Sequence, residues 1–174
     1  MPYTAVDGIM TATDSSMVEL FDRTVEEGLL NKVFYDGEIL DAQSFLRFVK
    51  APGNLFYVVF DGLEAVAYTW LSHLESRAAR IHFCVFKRHH GLNAIDIGKF
   101  VLRKLVELKS SGGEYIFDVL IGLTPNNNKL ALRFAQSCGF KICGVVPNAV
   151  FNSISGKSED ATVSWYTRST DNDD

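Results

Sequence analysis

Cysteine is scarce in this chain. Cys84, Cys138 and Cys143 are odd in number and contain no Cys-x-x-Cys pair, so neither a disulfide framework nor a metal-binding thiolate site is expected. That usage suits a reducing compartment. Long apolar runs are missing too: the longest, LFYVVF from Leu55, falls far short of the ~20 residues that cross a bilayer. The opening MPYTAVDGIM lacks the basic start and apolar stretch of a secretory leader. A cytoplasmic protein with no membrane partner is therefore expected. Basic charge is short as well, at 17 Lys and Arg against 21 Asp and Glu, a net charge of -4. Nucleic-acid binding draws its general affinity from phosphate neutralisation, so no nucleic-acid partner is expected. There is no GxGxxG and no GxSxG. GLNAIDIGK, from Gly91, puts six residues between its glycines and Phe100 where a P-loop needs Ser or Thr, which excludes that phosphate site too.

What remains is a chain of 174 residues, 47% hydrophobic, long enough to bury one good core. No composition break or internal repeat divides it, and a single domain over residues 1–168 is expected, followed by a polar acidic tail, STDNDD, at 169–174. Asp14-Ser15-Ser16 with Glu19 suggests a capping box centred on Ser16, followed by an apolar face of Met17, Leu20, Phe21, Thr24 and Val25 and a stop at Gly28. Asp41 is a second N-cap, ahead of Phe45, Leu46, Phe48 and Val49, with Pro52-Gly53 ending that helix. Residues 31–40 between them carry no periodicity and read as a mobile or substrate-facing loop.

From Leu55 the period changes to that of strands. LFYVVF, EAVAYTWLSHL and ARIHFCVF, joined by Asp61-Gly62 and Glu75-Ser76-Arg77, predict an antiparallel three-strand meander. A helix over about residues 94–108 follows, with positions 94, 97, 101, 105 and 108 on its apolar face and Lys99, Arg103 and Glu107 opposite. After Gly112-Gly113, YIFDVLIGL reads as a central, partly parallel strand; a short helix, FKICGVV and ATVSWYTR complete the chain. The fold class is α/β: a mixed, mostly antiparallel central sheet flanked by helices.

Two places could carry chemistry. Lys87-Arg88-His89-His90-Gly91 joins a strand end to a helix start, where free amides and the helix dipole favour an anion; it also reads as a solvated basic loop. His82 shares a strand face with Arg80 and Cys84. A histidine facing a cleft can serve as a general base near neutral pH, and it also reads as a satisfied core or surface histidine.

The third feature is TPNNNKLALRFAQSCGFKICGVV, residues 124–146. The asparagines cap a short helix packed through Leu130, Ala131, Phe134, Ala135 and Cys138, and Gly139-Phe140 stops it in a left-handed turn. The pattern P-x-x-N-x-x-A-x-R-F-A-x-x-x-G-F-x-x-x-G, here Pro125, Asn128, Ala131, Arg133, Phe134, Ala135, Gly139, Phe140 and Gly144, resembles the late motif of the GNAT superfamily of acyl-CoA-dependent N-acyltransferases, in its ribosomal-protein acetyltransferase-like branch. Element order from about residue 55 to 168 is similar as well.

The resemblance implies a GNAT-like fold, acetyl-CoA as co-substrate, and an amine acceptor on a peptide terminus, a lysine or a small molecule, in a monomer or homodimer. It implies that acetyl-CoA lies between ARIHFCVF and YIFDVLIGL, with the backbone of Cys84, Val85 and Phe86 pairing with pantetheine. Arg88, His89, His90, Gly91, Leu92, Asn93 and Ala94 would wrap the pyrophosphate, with Asn128 and Phe134 beside the cofactor arm. Many members place a tyrosine acid where this chain has Ala135, and an acidic base near its Arg80; His82 is then the nearest substitute for the base. Asp96 would put a carboxylate in the first turn of the phosphate-binding helix. The alternative is a non-catalytic GNAT-fold protein that binds a partner or only acyl-CoA.

Overall fold

The computed structural model describes residues 12–168, so the opening MPYTAVDGIM and the tail at 169–174 lie outside the described residues. The first helix among the described residues is α1 (Asp14–Glu26), whose capping box is formed by Thr13 and Ser16. The box sits three residues earlier than the expected one, because Thr13 has the extended backbone an N-cap needs and Ser16 returns a hydrogen bond to its amide (3.0 Å). Met17, Leu20, Phe21 and Thr24 are buried as their spacing predicts, but Val25 is exposed.

The segment expected to be a mobile or substrate-facing loop is partly ordered by packing. A single turn, α2 (Leu30–Val33), is followed by Phe34, which stacks on Trp70 with ring centroids 5.2 Å apart, and by Ile39, also buried. Helix α3 (Ala42–Lys50) starts at Asp41 as expected, its carboxylate accepting from the Ser44 amide at 2.7 Å. These helices cover one face of the sheet through Phe21, Phe45, Phe56, Tyr68 and Trp70.

The meander is β1 (Leu55–Asp61), β2 (Glu64–Glu75) and β3 (Ala78–Val85). A 3-10 turn (Lys87–His89) leads into α4 (Leu92–Val106), then β4 (Val119–Pro125), α5 (Lys129–Ser137), β5 (Lys141–Asn152) and β6 (Lys157–Thr167). Strand order is β1-β2-β3-β4-β6-β5. Every adjacent pair is antiparallel except β3–β4, the one parallel contact, across which α4 is the crossover.

Helix α4 both starts and ends earlier than the periodicity suggested. Its buried side is Ala94, Gly98, Val101, Leu102, Leu105 and Val106, the last four packing with Leu120, Cys138 and Phe140 on the second sheet face. Gly98 is needed there, since a Cβ would lie 2.4 Å from Cys138 Sγ and 2.8 Å from Phe134 Cζ. Strand β4 starts later than YIFDVLIGL suggested: Tyr115 and Ile116 are exposed, and the first ladder partner is Val119 opposite Ala78. Helix α5 ends as expected, with the Phe140 amide donating to Ala135 O and the Gly139 amide to Gln136 O, and with Gly139 at φ +103.

Candidate active site

The parallel pair β3–β4 holds only at its first residues, Ala78, Ala79 and Arg80 opposite Val119, Leu120 and Ile121. Beyond them the strands diverge, because β4 stays with β6 through Pro125 while β3 stays with β2 through Val85. The resulting gap is open. A cavity of about 490 Å³ runs from the His90-Gly91 turn past Phe83 and Val85 to Asn128, Ala131 and Phe134. A smaller one, about 120 Å³, continues between the strands, where Tyr35, Trp70, His82, Gly122 and Ala135 face it. Lys32, Val33, Phe83, Asn128, Ala131 and Phe134 line both, so the two are parts of one cleft.

One wall of this cleft is the edge of β3. The Phe86 amide donates to Val66 O on β2, and the His82 carbonyl, on the same side, accepts from the Thr69 hydroxyl (2.6 Å). Alternation then turns the backbone of Phe83 and Val85 toward the gap. Of the expected stretch Cys84–Val85–Phe86, Val85 turns its backbone to the gap, as does Phe83, and Cys84 also lines the cavity, while Phe86 does not. Phe86 is fully buried beneath the Arg23 guanidinium (3.9 Å), and the Cys84 thiol is buried, with its pKa pushed up to about 12 chiefly by loss of solvent. The Val85 carbonyl already accepts from His90 Nε2 at 2.9 Å.

At the mouth of the cleft, Gly91 is the N-cap of α4 with φ +83, a conformation that favours glycine, and no side chain caps the helix. The first-turn amides therefore face outward without a competing carboxylate, which is the arrangement an anion needs. His90, Gly91, Leu92 and Ala94 line the cavity. Arg88, His89 and Asn93 do not: Arg88 (3.5 Å) and His89 (3.3 Å) turn to Glu64 at the start of β2. The His89 hydrogen bond, aided by the Arg88 charge, holds the Glu64 carboxyl below its ordinary range. Asp96, expected in the first turn, lies beyond it because the helix begins at Leu92.

The asparagines separate by function. Asn126 accepts from Thr162 and its amide donates to Asp160 O, while Asn127 reaches Glu159; both tie the turn to β6. Asn128 caps α5, its Oδ1 accepting from the Ala131 amide at 3.1 Å, and its side chain borders both parts of the cleft. Phe134 sits edge-on to Phe83, centroids 5.6 Å apart. Leu130, expected to pack inward, is exposed at the rim.

His82 does face the inner cavity. Its ring lies flat on Trp70 (4.5 Å, 1° between planes) and its Nε2 shares a hydrogen bond with Ser72 Oγ at 3.0 Å. Burial, with the nearby Arg80 charge and then His73, lowers its pKa to about 3. A histidine this reluctant to take a proton is a weak base at neutral pH. Sequence reasoning missed Tyr35 altogether. Its carbonyl accepts from both the amide (2.8 Å) and hydroxyl (3.0 Å) of Ser153, in the β5–β6 hairpin, so a contact across 118 positions holds it at the inner cavity. Burial, and secondarily Asp36, raise its hydroxyl pKa, with Arg80 opposing. No local pattern could have revealed it.

No protein-family profile matches this chain, and no curated protein matches it by sequence. Solved structures do match. RimL, a ribosomal α-N-protein acetyltransferase in complex with coenzyme A, superposes with a TM-score of 0.70 at 12% identity, over 90% of either chain. The spermidine N-acetyltransferase of Vibrio cholerae, bound to CoA and spermine, gives 0.68 at 12%, over 90% of this chain and 92% of that one. The microcin self-immunity acetyltransferase MccE, with acetyl-CoA and AMP, gives 0.67 at 12%, over 91% of both.

Proposed function

From the premise that this chain has the fold of the GNAT acyltransferases, we propose that it transfers an acetyl group from acetyl-CoA to a primary amine on a peptide terminus, a lysine or a small molecule. The observation that carries this reading is the open gap between β3 and β4, leading without interruption to the uncapped start of α4. That shape suits a long, bent ligand with a phosphate group partway along it. Gly91, Leu92 and Ala94 would hold the pyrophosphate through backbone amides, with His90 beside them. Phe83 and Val85 would pair with the pantetheine amides. The unused amide of Asn128 would orient the thioester.

Attack by the neutral amine forms the C–N bond and breaks the C–S bond. The amine loses a proton to water and the departing thiolate gains one. Among the groups facing the inner cavity, Tyr35 is a neutral phenol with a proton to give, and His82 is a neutral imidazole without the acidic proton of an imidazolium. Tyr35 is therefore assigned as the proton donor to the thiolate, regained afterwards from water, and His82 as a neutral, hydrogen-bonding wall rather than the base.

Ligand linkage tests the cofactor first. At 100 times its dissociation constant, acetyl-CoA should stabilise the fold by ~2.7 kcal/mol, or roughly 5 to 11 °C in melting temperature for a chain of this size. Gly91→Glu should abolish the shift. If millimolar acetyl-CoA leaves the wild-type melting temperature unmoved, the cofactor assignment is wrong. Release of free CoA thiol on adding amines then separates an enzyme from a protein that only binds acyl-CoA.

A further inference from the structure

A second cavity lies on the other side of α4, against the ends of β5 and β6. It measures about 530 Å³, within the range of small-molecule sites, and shares no lining residue with the cleft between β3 and β4. Its walls differ in kind from those of the cleft. Lys99 and Arg103, one turn apart on the wet side of α4, face Lys141 from the start of β5 and Arg168 after β6, with Asp96 as the only carboxylate in the lining. With Arg168 paired to Asp118, three unpaired cations against one acid, in a chain whose net charge is -4, are a local reversal of sign.

The ion pairs among the described residues use none of Lys99, Arg103 and Lys141. Lys141 instead lies over the Trp165 ring, its Nζ 5.1 Å from the centroid. Arg168 is fixed: it donates to Val106 O (2.9 Å) and Phe117 O, pairs with Asp118 (2.6 Å), and lies over the Tyr115 ring. One rigid cation and three adjustable ones thus converge on one groove that Phe100, Trp165 and Tyr166 also wall. Like charges so gathered repel one another unless an anion lies between them.

We propose that this groove binds a small phosphate-bearing anion carrying more than one negative charge, its charged end between Lys99, Arg103 and Lys141 and any organic body against the aromatic walls. Lysine and arginine donors on several elements suit the many acceptors of a phosphate group. Asp96, the one carboxylate in the lining, works against any anion, so binding rests on the surrounding cations outweighing it. The assignment is independent of what occupies the cleft.

The test is intrinsic fluorescence of the whole chain, titrated with inorganic pyrophosphate, uridine diphosphate and uridine. Trp70 is buried, so a response should come from Trp165, and Trp165→Phe should remove it. Pyrophosphate or the nucleotide should bind, with affinity falling steeply as salt rises, and uridine should not. The two sources of phosphate are then separated: equal affinities mean that the bare anion is read, and tighter binding of the nucleotide means that its organic body is read too. Lys99→Glu/Arg103→Glu should weaken binding at least tenfold, and Lys141→Glu should weaken it also. Both charge-reversed proteins can be checked for intact folding by circular dichroism and their melting transitions. Gly91→Glu, in the other cleft, should leave the affinity unchanged. No response to either phosphate at millimolar concentration, or the same affinity after double charge reversal, overturns the proposal.

Discussion

Burial of His82 makes a prediction about stability that can be read without knowing any substrate. The imidazole is held between Trp70 and the strand gap with its pKa lowered from an ordinary 6.5 to about 3. The unfolded chain therefore takes up a proton at this residue between those values and the folded protein does not. Stability is highest above pH 6.5 and falls as the pH drops from there toward 3. At pH 5 the unfolded form gains about 1.5 pH units' worth of protonation, each ~1.36 kcal/mol, or roughly 2 kcal/mol in all. Urea unfolding of wild type and His82→Gln at pH 7, 6 and 5 reads this directly. With an m-value of ~2 kcal/mol/M, the wild-type midpoint should fall about 1 M further than that of the variant across that range. His82→Gln should be less stable at pH 7, having lost the ring stacked on Trp70, so the slope and not the level is diagnostic. Parallel pH curves would refute the burial argument and return His82 to consideration as the base.

Gly98→Ala should push α4 and α5 apart, since its Cβ would meet Cys138 Sγ at 2.4 Å. A loss of roughly 1 to 3 kcal/mol is expected by denaturant unfolding. Asn128→Ala removes the cap on the Ala131 amide and should cost about 1 kcal/mol, most of it recovered in Asn128→Asp, while acetyl-CoA affinity should fall in both. Tyr35→Phe should lower kcat with little change in KM for acetyl-CoA, whereas Ser153→Ala should weaken the same step by loosening the tyrosine's backbone. An unchanged kcat in Tyr35→Phe would remove it as proton donor.

How much was legible varied with how local the information was. The Asp41 cap, the meander and the Gly139-Phe140 stop each depend on a few neighbouring residues, and the structure follows them. Boundaries set by long-range partners went astray. YIFDVLIGL is apolar from its first residue, but pairing starts only where the Arg77 carbonyl accepts the Asp118 and Val119 amides; Tyr115 is instead a surface ring between Lys109 and Arg168. In the basic turn the long-range partner is Glu64: Arg88 and His89 are suited to phosphate by type, and both lie within 3.5 Å of its carboxylate.

The sequence by itself determined the period of each element, the Asp41 cap and the Gly139-Phe140 stop, and through the order of the elements the resemblance to a fold. Local hydrogen bonding and side-chain direction are enough for that. Only the tertiary structure decided which of those elements leave a gap. The β3–β4 ladder breaks after Arg80 and Ile121 because each strand keeps its outer neighbour, a choice made by pairings far apart in the chain. The same distance explains Tyr35 at the inner cavity and the cations gathered beside Trp165: each is brought to its place by a partner that no window of neighbouring residues contains.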